Sequence, residues 1–111
     1  MLLPHNETLF DSTATSSGNS RSSPVVTSYA KEAIFFLNVT AIDGTLNITI
    51  RVYNELTEKW HLLATFDEKN CICTDEGYVG YGLGEKIACD YVVSPGGSVT
   101  FSLTVNLKDH I

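Results

Sequence analysis

The segment Val99-Thr100-Phe101-Ser102-Leu103-Thr104-Val105-Asn106-Leu107 places an apolar residue at every second position, with Thr, Ser or Asn between. Successive side chains of a β-strand point to opposite faces, so this spacing buries one face and wets the other, whereas a helix would scatter the same residues around its axis. Leu46-Asn47-Ile48-Thr49-Ile50-Arg51-Val52 repeats the pattern, with Leu46, Ile48, Ile50 and Val52 on one side. Both read as half-buried antiparallel strands.

Three further stretches extend the theme. Ala33 to Ala41 is more continuously apolar, as a central strand covered on part of its second face would be. In Trp60 to Phe66, period two puts Trp60, Leu62, Ala64 and Phe66 on the inner face; in Ile87 to Val93 it does the same for Ile87, Cys89, Tyr91 and Val93. Asp43-Gly44, the polar loop from Asn54 to Lys59, and Pro95-Gly96-Gly97 suit tight antiparallel connections, and no connection is long enough for the crossover that parallel pairing needs. Tyr78 to Gly84, with alternating glycines, reads as a weak strand, and Val25 to Tyr29 as an edge strand. The total is about six to eight short strands, the number for an all-β antiparallel β-sandwich of jelly-roll or Ig-like type.

Residues 11 to 28 are dominated by Ser and Thr and show no period. They are read as an extended N-terminal arm covering residues 1–28, ahead of a sandwich domain at 29–111. Leu2, Leu3, Leu9, Phe10, Val25 and Val26 are apolar side chains that a free tail has no use for, so the arm is expected to dock on a partner and to order only in an assembly.

Bulk charge narrows the partners. With 7 basic against 13 acidic side chains in 111 residues, the chain lacks the positive stripe that neutralises phosphates, so nucleic acid is not expected as a partner. The longest apolar run, Ala33 to Leu37, is far short of a membrane span, and the first residues lack the basic start and apolar stretch of an export signal, so synthesis in the cytoplasm and no membrane association are expected. The sequons at Asn6, Asn38 and Asn47 are then read as polar strand and arm positions.

Groups that carry chemistry are sparse. Cys71 and Cys73 form a C-x-C pair that, with Cys89 and His61, would make a tetrahedral zinc site only by drawing ligands from separate strands; no metal and no other cofactor is expected. Cys89 shares the inner phase of its strand and reads as a buried free thiol, the alternative being a disulfide to Cys71 or Cys73. His61 is the one histidine placed within a strand, as a solvated side chain, and Asp67, Glu68, Asp75 and Glu76 lack the spacing of a calcium loop. No catalytic residues are assigned and no enzyme activity is expected. Trp60 and Tyr91 follow the inward phase, which leaves Tyr78 and Tyr81 as exposed aromatics able to stack on a partner or a sugar ring.

Taken together, the Ser/Thr-rich arm, the phrase Phe36-Leu37-Asn38-Val39-Thr40-Ala41-Ile42-Asp43-Gly44-Thr45-Leu46-Asn47-Ile48, the Lys59-Trp60-His61 and Thr65-Phe66 stretch, and Ser94-Pro95-Gly96-Gly97-Ser98-Val99-Thr100-Phe101-Ser102-Leu103 resemble small β-sandwich virion proteins of tailed bacteriophages. The similarity spans about residues 12 to 107, and Asn70 to Glu85 departs from it as an insertion. The resemblance implies a non-enzymatic head decoration or minor structural protein on the capsid surface of the virion. It further implies the major capsid protein and neighbouring copies, as a trimer, for partners. A carbohydrate-binding module of a tail or baseplate is the alternative.

Overall fold

The computed structural model describes residues 5–27, 30–80 and 83–108. Leu2, Leu3 and Tyr81 of the expected contact residues lie outside them. Nine strands are present among the described residues: β1 (His5–Ala14), β2 (Gly18–Asn19), β3 (Val25–Val26), β4 (Glu32–Asp43), β5 (Leu46–Asn54), β6 (Lys59–Thr65), β7 (Cys73–Val79), β8 (Lys86–Val93) and β9 (Ser98–Lys108). They build two antiparallel sheets, β1-β9-β4-β7 and β2-β8-β5-β6, with β3 also paired to β8. First pairs with last, β2 with β8, β4 with β7 and β5 with β6, so the chain is one long hairpin rolled into a sandwich. That order is a jelly roll, the first of the two topologies expected.

The core lies between the sheets. Val99, Phe101, Leu103, Val105 and Leu107 of β9 are each at most 1% exposed, as are Leu46, Ile48 and Ile50 of β5 and Phe35, Leu37 and Val39 of β4. The alternating strands thus bury the faces their sequences mark. Asp43-Gly44 passes the chain from one sheet to the other with Gly44 at φ 105°, and a Cβ there would run into the Ser94 hydroxyl. Gly96 closes the β8–β9 turn at φ 74°. Both turns are where their Gly residues signalled them.

The segment read as an arm is instead part of both sheets. β1 pairs with β9 from His5 opposite Leu107 to Ala14 opposite Val99, and a bulge between Thr8 and Phe10 turns both Leu9 and Phe10 toward the core. Farther along, side chains stand in for missing ladder partners: Val93 N–H donates to Ser17 Oγ (3.0 Å) and Cys89 N–H to Ser20 Oγ (2.9 Å). Leu9 and Val25 are each 6% exposed and so unavailable for docking, while Val26 points outward. The division at residue 28 is therefore corrected: residues 5–27 belong to the sandwich, held by backbone pairing that a Ser/Thr composition does not advertise.

Two other expectations change. Leu63 is the extra residue of a second bulge, with Ile50 opposite Ala64 and Arg51 opposite Leu62, so Trp60 and Leu62 stand on the outer face rather than in the core. The Asn70 to Glu85 stretch contains a full edge strand, β7, in place of the weak strand read at Tyr78 to Gly84. Cys71, Cys73 and Cys89 are all free thiols; Cys89 is buried on β8 of one sheet, whereas Cys73 begins β7 of the other.

Candidate interaction faces

The bulge at Leu63 brings side chains of several strands together on one surface. It places Trp60 opposite Tyr53 and Leu62 opposite Arg51 on the outer face of the β2-β8-β5-β6 sheet, where Lys86, Asp90 and Val92 of β8 also point. Asp90 holds two arginines: Arg21 Nε donates to Oδ1 at 3.0 Å and its Nη2 to Oδ2 at 2.6 Å, while Arg51 Nε reaches Oδ2 at 3.2 Å. Arg21 comes from the β2–β3 turn, which is fixed by its own N–H donating to Asn19 Oδ1 at 3.0 Å. Among the described residues the Arg51 Nη atoms donate no hydrogen bond, so Asp90 orients that guanidinium through its Nε alone.

Aromatic rings extend the same face. Trp60 and Tyr53 pack with centroids 5.1 Å apart, the Arg21 guanidinium lies 5.9 Å from the Trp60 ring, and Lys86 Nζ lies 4.3 Å from that of Tyr53. Partial burial, then the carboxylates of Glu58 and Glu55, push the Tyr53 hydroxyl up, so it stays a neutral donor. Leu62 and Val92 are 61% and 54% exposed. Trp, Tyr and Arg around exposed aliphatics is the composition of protein-binding hot spots.

The opposite face, on the β1-β9-β4-β7 sheet, is mostly Thr, Ser and Asn, with the carboxylates of Asp11, Glu32 and Glu76 among them. Rows of side chains cross it, Thr8 beside Thr104, Phe36 and Glu76, then Asn6 beside Asn106, Ile34 and Tyr78. Asn106 Nδ2 donates to Asn6 Oδ1 at 2.8 Å, and the Thr13 and Thr100 hydroxyls share a bond of 2.7 Å. Phe36 is exposed beside a depression of about 460 Å³ that Asn38, Thr74 and Glu76 also line. Tyr78, expected to be exposed, is so, and its hydroxyl donates to Glu32 Oε2 at 2.8 Å; that bond, more than desolvation, raises its pKa.

The remaining candidates do not converge. His61 is exposed on β6, opposite Val52. Cys73 lies beside Cys71, and burial, then the neighbouring thiol, pushes it up. Among the described residues no three His, Cys, Asp or Glu side chains gather as metal ligands. Sequence reasoning missed the Arg21, Arg51, Asp90 and Trp60 face, because its parts come from four separate segments and Trp60 was assigned the inner phase.

No protein-family model and no curated protein sequence matches the chain. Solved structures share its fold. The SPBc2 prophage-derived protein YomS superposes with a TM-score of 0.64 at 13% identity, over 97% of both chains. The Yersinia pseudotuberculosis-derived mitogen does so at 0.57 and 13% identity, over 98% of this chain and 91% of its own. The Triatoma virus empty capsid follows at 0.53 and 10%, over 95% and 88%. At such identities the likeness speaks for the fold.

Proposed function

We propose that this chain is a non-enzymatic structural protein of a phage particle, a decoration protein seated on the lattice of the major capsid protein. The observation that carries the reading is the rolled jelly-roll topology, matched end to end with a prophage-derived protein and, at lower similarity, with a viral capsid. Jelly rolls pack laterally in shells because they expose flat sheet faces and few free strand edges. The lattice-facing surface is the β1-β9-β4-β7 face: Phe36 and Tyr78 give it apolar anchors, its Thr and Asn rows supply uncharged donors and acceptors, and Asp11, Glu32 and Glu76 call for donors or cations on the lattice side.

Mass spectrometry of particles purified from the source lysate tests this directly. The chain is expected at a copy number comparable to the major capsid protein, and Phe36→Arg is expected to remove it from particles while leaving the isolated fold intact. Absence of the chain from particles would overturn the reading; glycan-array binding lost in Tyr78→Ala would put the carbohydrate-binding module in its place.

A further inference from the structure

The face around Asp90 has a charge sign opposite to that of the chain as a whole. Three of the 7 basic residues, Arg21, Arg51 and Lys86, project there, and Asp90 is the one acid that the strands of this face contribute among the described residues. That acid is saturated by three arginine hydrogen bonds, so around it the face offers cationic and apolar groups outward, the Arg51 guanidinium edge, Trp60 and Leu62, while at its far end, beside Val92, Glu68 accepts from Asn47 Nδ2 at 3.1 Å. A matching occupant carries carboxylates around an exposed aliphatic side chain.

The chain itself presents such an element. The β5–β6 hairpin tip, residues 55–58, carries Glu55 and Glu58 on either side of Leu56 and Thr57, and Leu56 is 96% exposed, the most exposed large hydrophobic among the described residues. The tip is closed by its own hydrogen bonds. Asn54 Oδ1 accepts from the N–H of Leu56 (2.9 Å) and Thr57 (3.3 Å), and Glu58 N–H donates to Asn54 O at 2.8 Å. An apolar residue held at the apex of a pre-ordered acidic turn loses little entropy on docking. Among the described residues nothing covers it.

We propose that a second copy of this chain is the occupant: the Glu55–Glu58 tip of one molecule seats on the Arg51, Trp60 and Leu62 face of the next. Two different surfaces meet, so the contact is heterologous and propagates head to tail, closing into a ring where the rotation permits and running on as a filament where it does not. Leu56 covers Trp60 and Leu62, and the tip carboxylates meet the guanidinium edges that Asp90 aims outward. The inference stands apart from the virion reading, since it concerns the isolated chain.

Light scattering of the purified full chain across rising concentration, at low and at high salt, tests it. The expected result is association that strengthens with concentration and weakens with salt, because the charged half of the contact is screened. Leu56→Asp, at a position with no packing to lose, is expected to weaken association by about tenfold or more with unchanged thermal unfolding. Arg51→Glu and the pair Glu55→Arg with Glu58→Arg are each expected to leave monomers, and all three changes in one chain to restore association. A parent chain that stays monomeric throughout, or one whose association ignores Leu56→Asp, overturns the proposal; so does failure of the triple charge reversal to recover association in a folded protein.

Discussion

The Phe10 ring of the first strand stacks on the Phe101 ring of the last, with centroids 4.3 Å apart and planes 15° from parallel. Tyr91, from the opposite sheet, closes on both, at 4.8 Å from Phe10 and 5.8 Å from Phe101. The N-terminal segment is thereby tied to the centre of the core across both sheets. Phe10→Ala is expected to cost about 3 kcal/mol in urea-induced unfolding, the range for removing an aromatic ring from a packed site. A disordered arm would register no change at all.

The three thiols are expected to differ sharply in reactivity. Cys71 is exposed, Cys73 half-buried, and Cys89 fully buried opposite Ile50, where burial above all pushes its thiol up despite the Ser20 hydroxyl. Since the thiolate is the reacting species, a raised pKa and lack of access act in the same direction. Labelling with a thiol reagent at neutral pH should modify Cys71 first and leave Cys89 untouched until denaturant is added. Modification of Cys89 in the native protein would contradict its placement.

How much of this was legible in the sequence depends on what each strand packs against. β5 and β9 declare themselves because one face is dry and the other wet, so every second residue carries the signal. β1 does not: its outward Thr8 and Thr13 and its adjacent Leu9 and Phe10 obey no period, and only pairing with β9 plus a bulge makes a strand of them. The bulge at Leu63 had the same effect on function. Period two carried unbroken through Leu62 and Leu63 sends Trp60 inward, whereas one inserted residue reverses the phase and brings Trp60 beside Arg21, from a turn far away in sequence. Bulges and long-range ion pairs such as Arg21 with Asp90 have no local signature, and the interaction face is made of both.

Asp75 guards the free edge of β7. Its carboxylate takes the Glu76 N–H at 2.8 Å and pairs with Lys69 Nζ, and the Lys69 bond is the main reason its pKa is lowered. A carboxylate depressed in the folded state contributes stability that is fully present above the unfolded value near pH 4 and is lost as pH falls through the lower folded value. Lys69, raised chiefly by the same bond, contributes below its unfolded value of about 10.4 and loses that contribution as pH rises through the folded one. Both partners retain solvent contact, so Asp75→Asn is expected to cost less than about 1 kcal/mol. Asp75→Ala also bares an edge N–H, and turbidity at neutral pH is expected to rise for it but not for Asp75→Asn, whose amide oxygen still accepts.

Glu58 closes the β5–β6 hairpin with φ at 56°, the one left-handed non-glycine residue among those described. Its Cβ crowds the following carbonyl in this conformation, a strain of roughly 1–2 kcal/mol that glycine escapes and asparagine lessens. Glycine also raises the entropy of the unfolded chain, which offsets part of the gain. The net expectation for Glu58→Gly is stabilisation by about 0.5–1 kcal/mol, with Glu58→Asn retaining part of it and Glu58→Val losing stability. Thermal unfolding of the three variants checks the order: Gly above Asn, Asn above the parent, and Val below it. A stabilised Glu58→Gly chain with weakened self-association would join the strain and the proposed contact in a single residue.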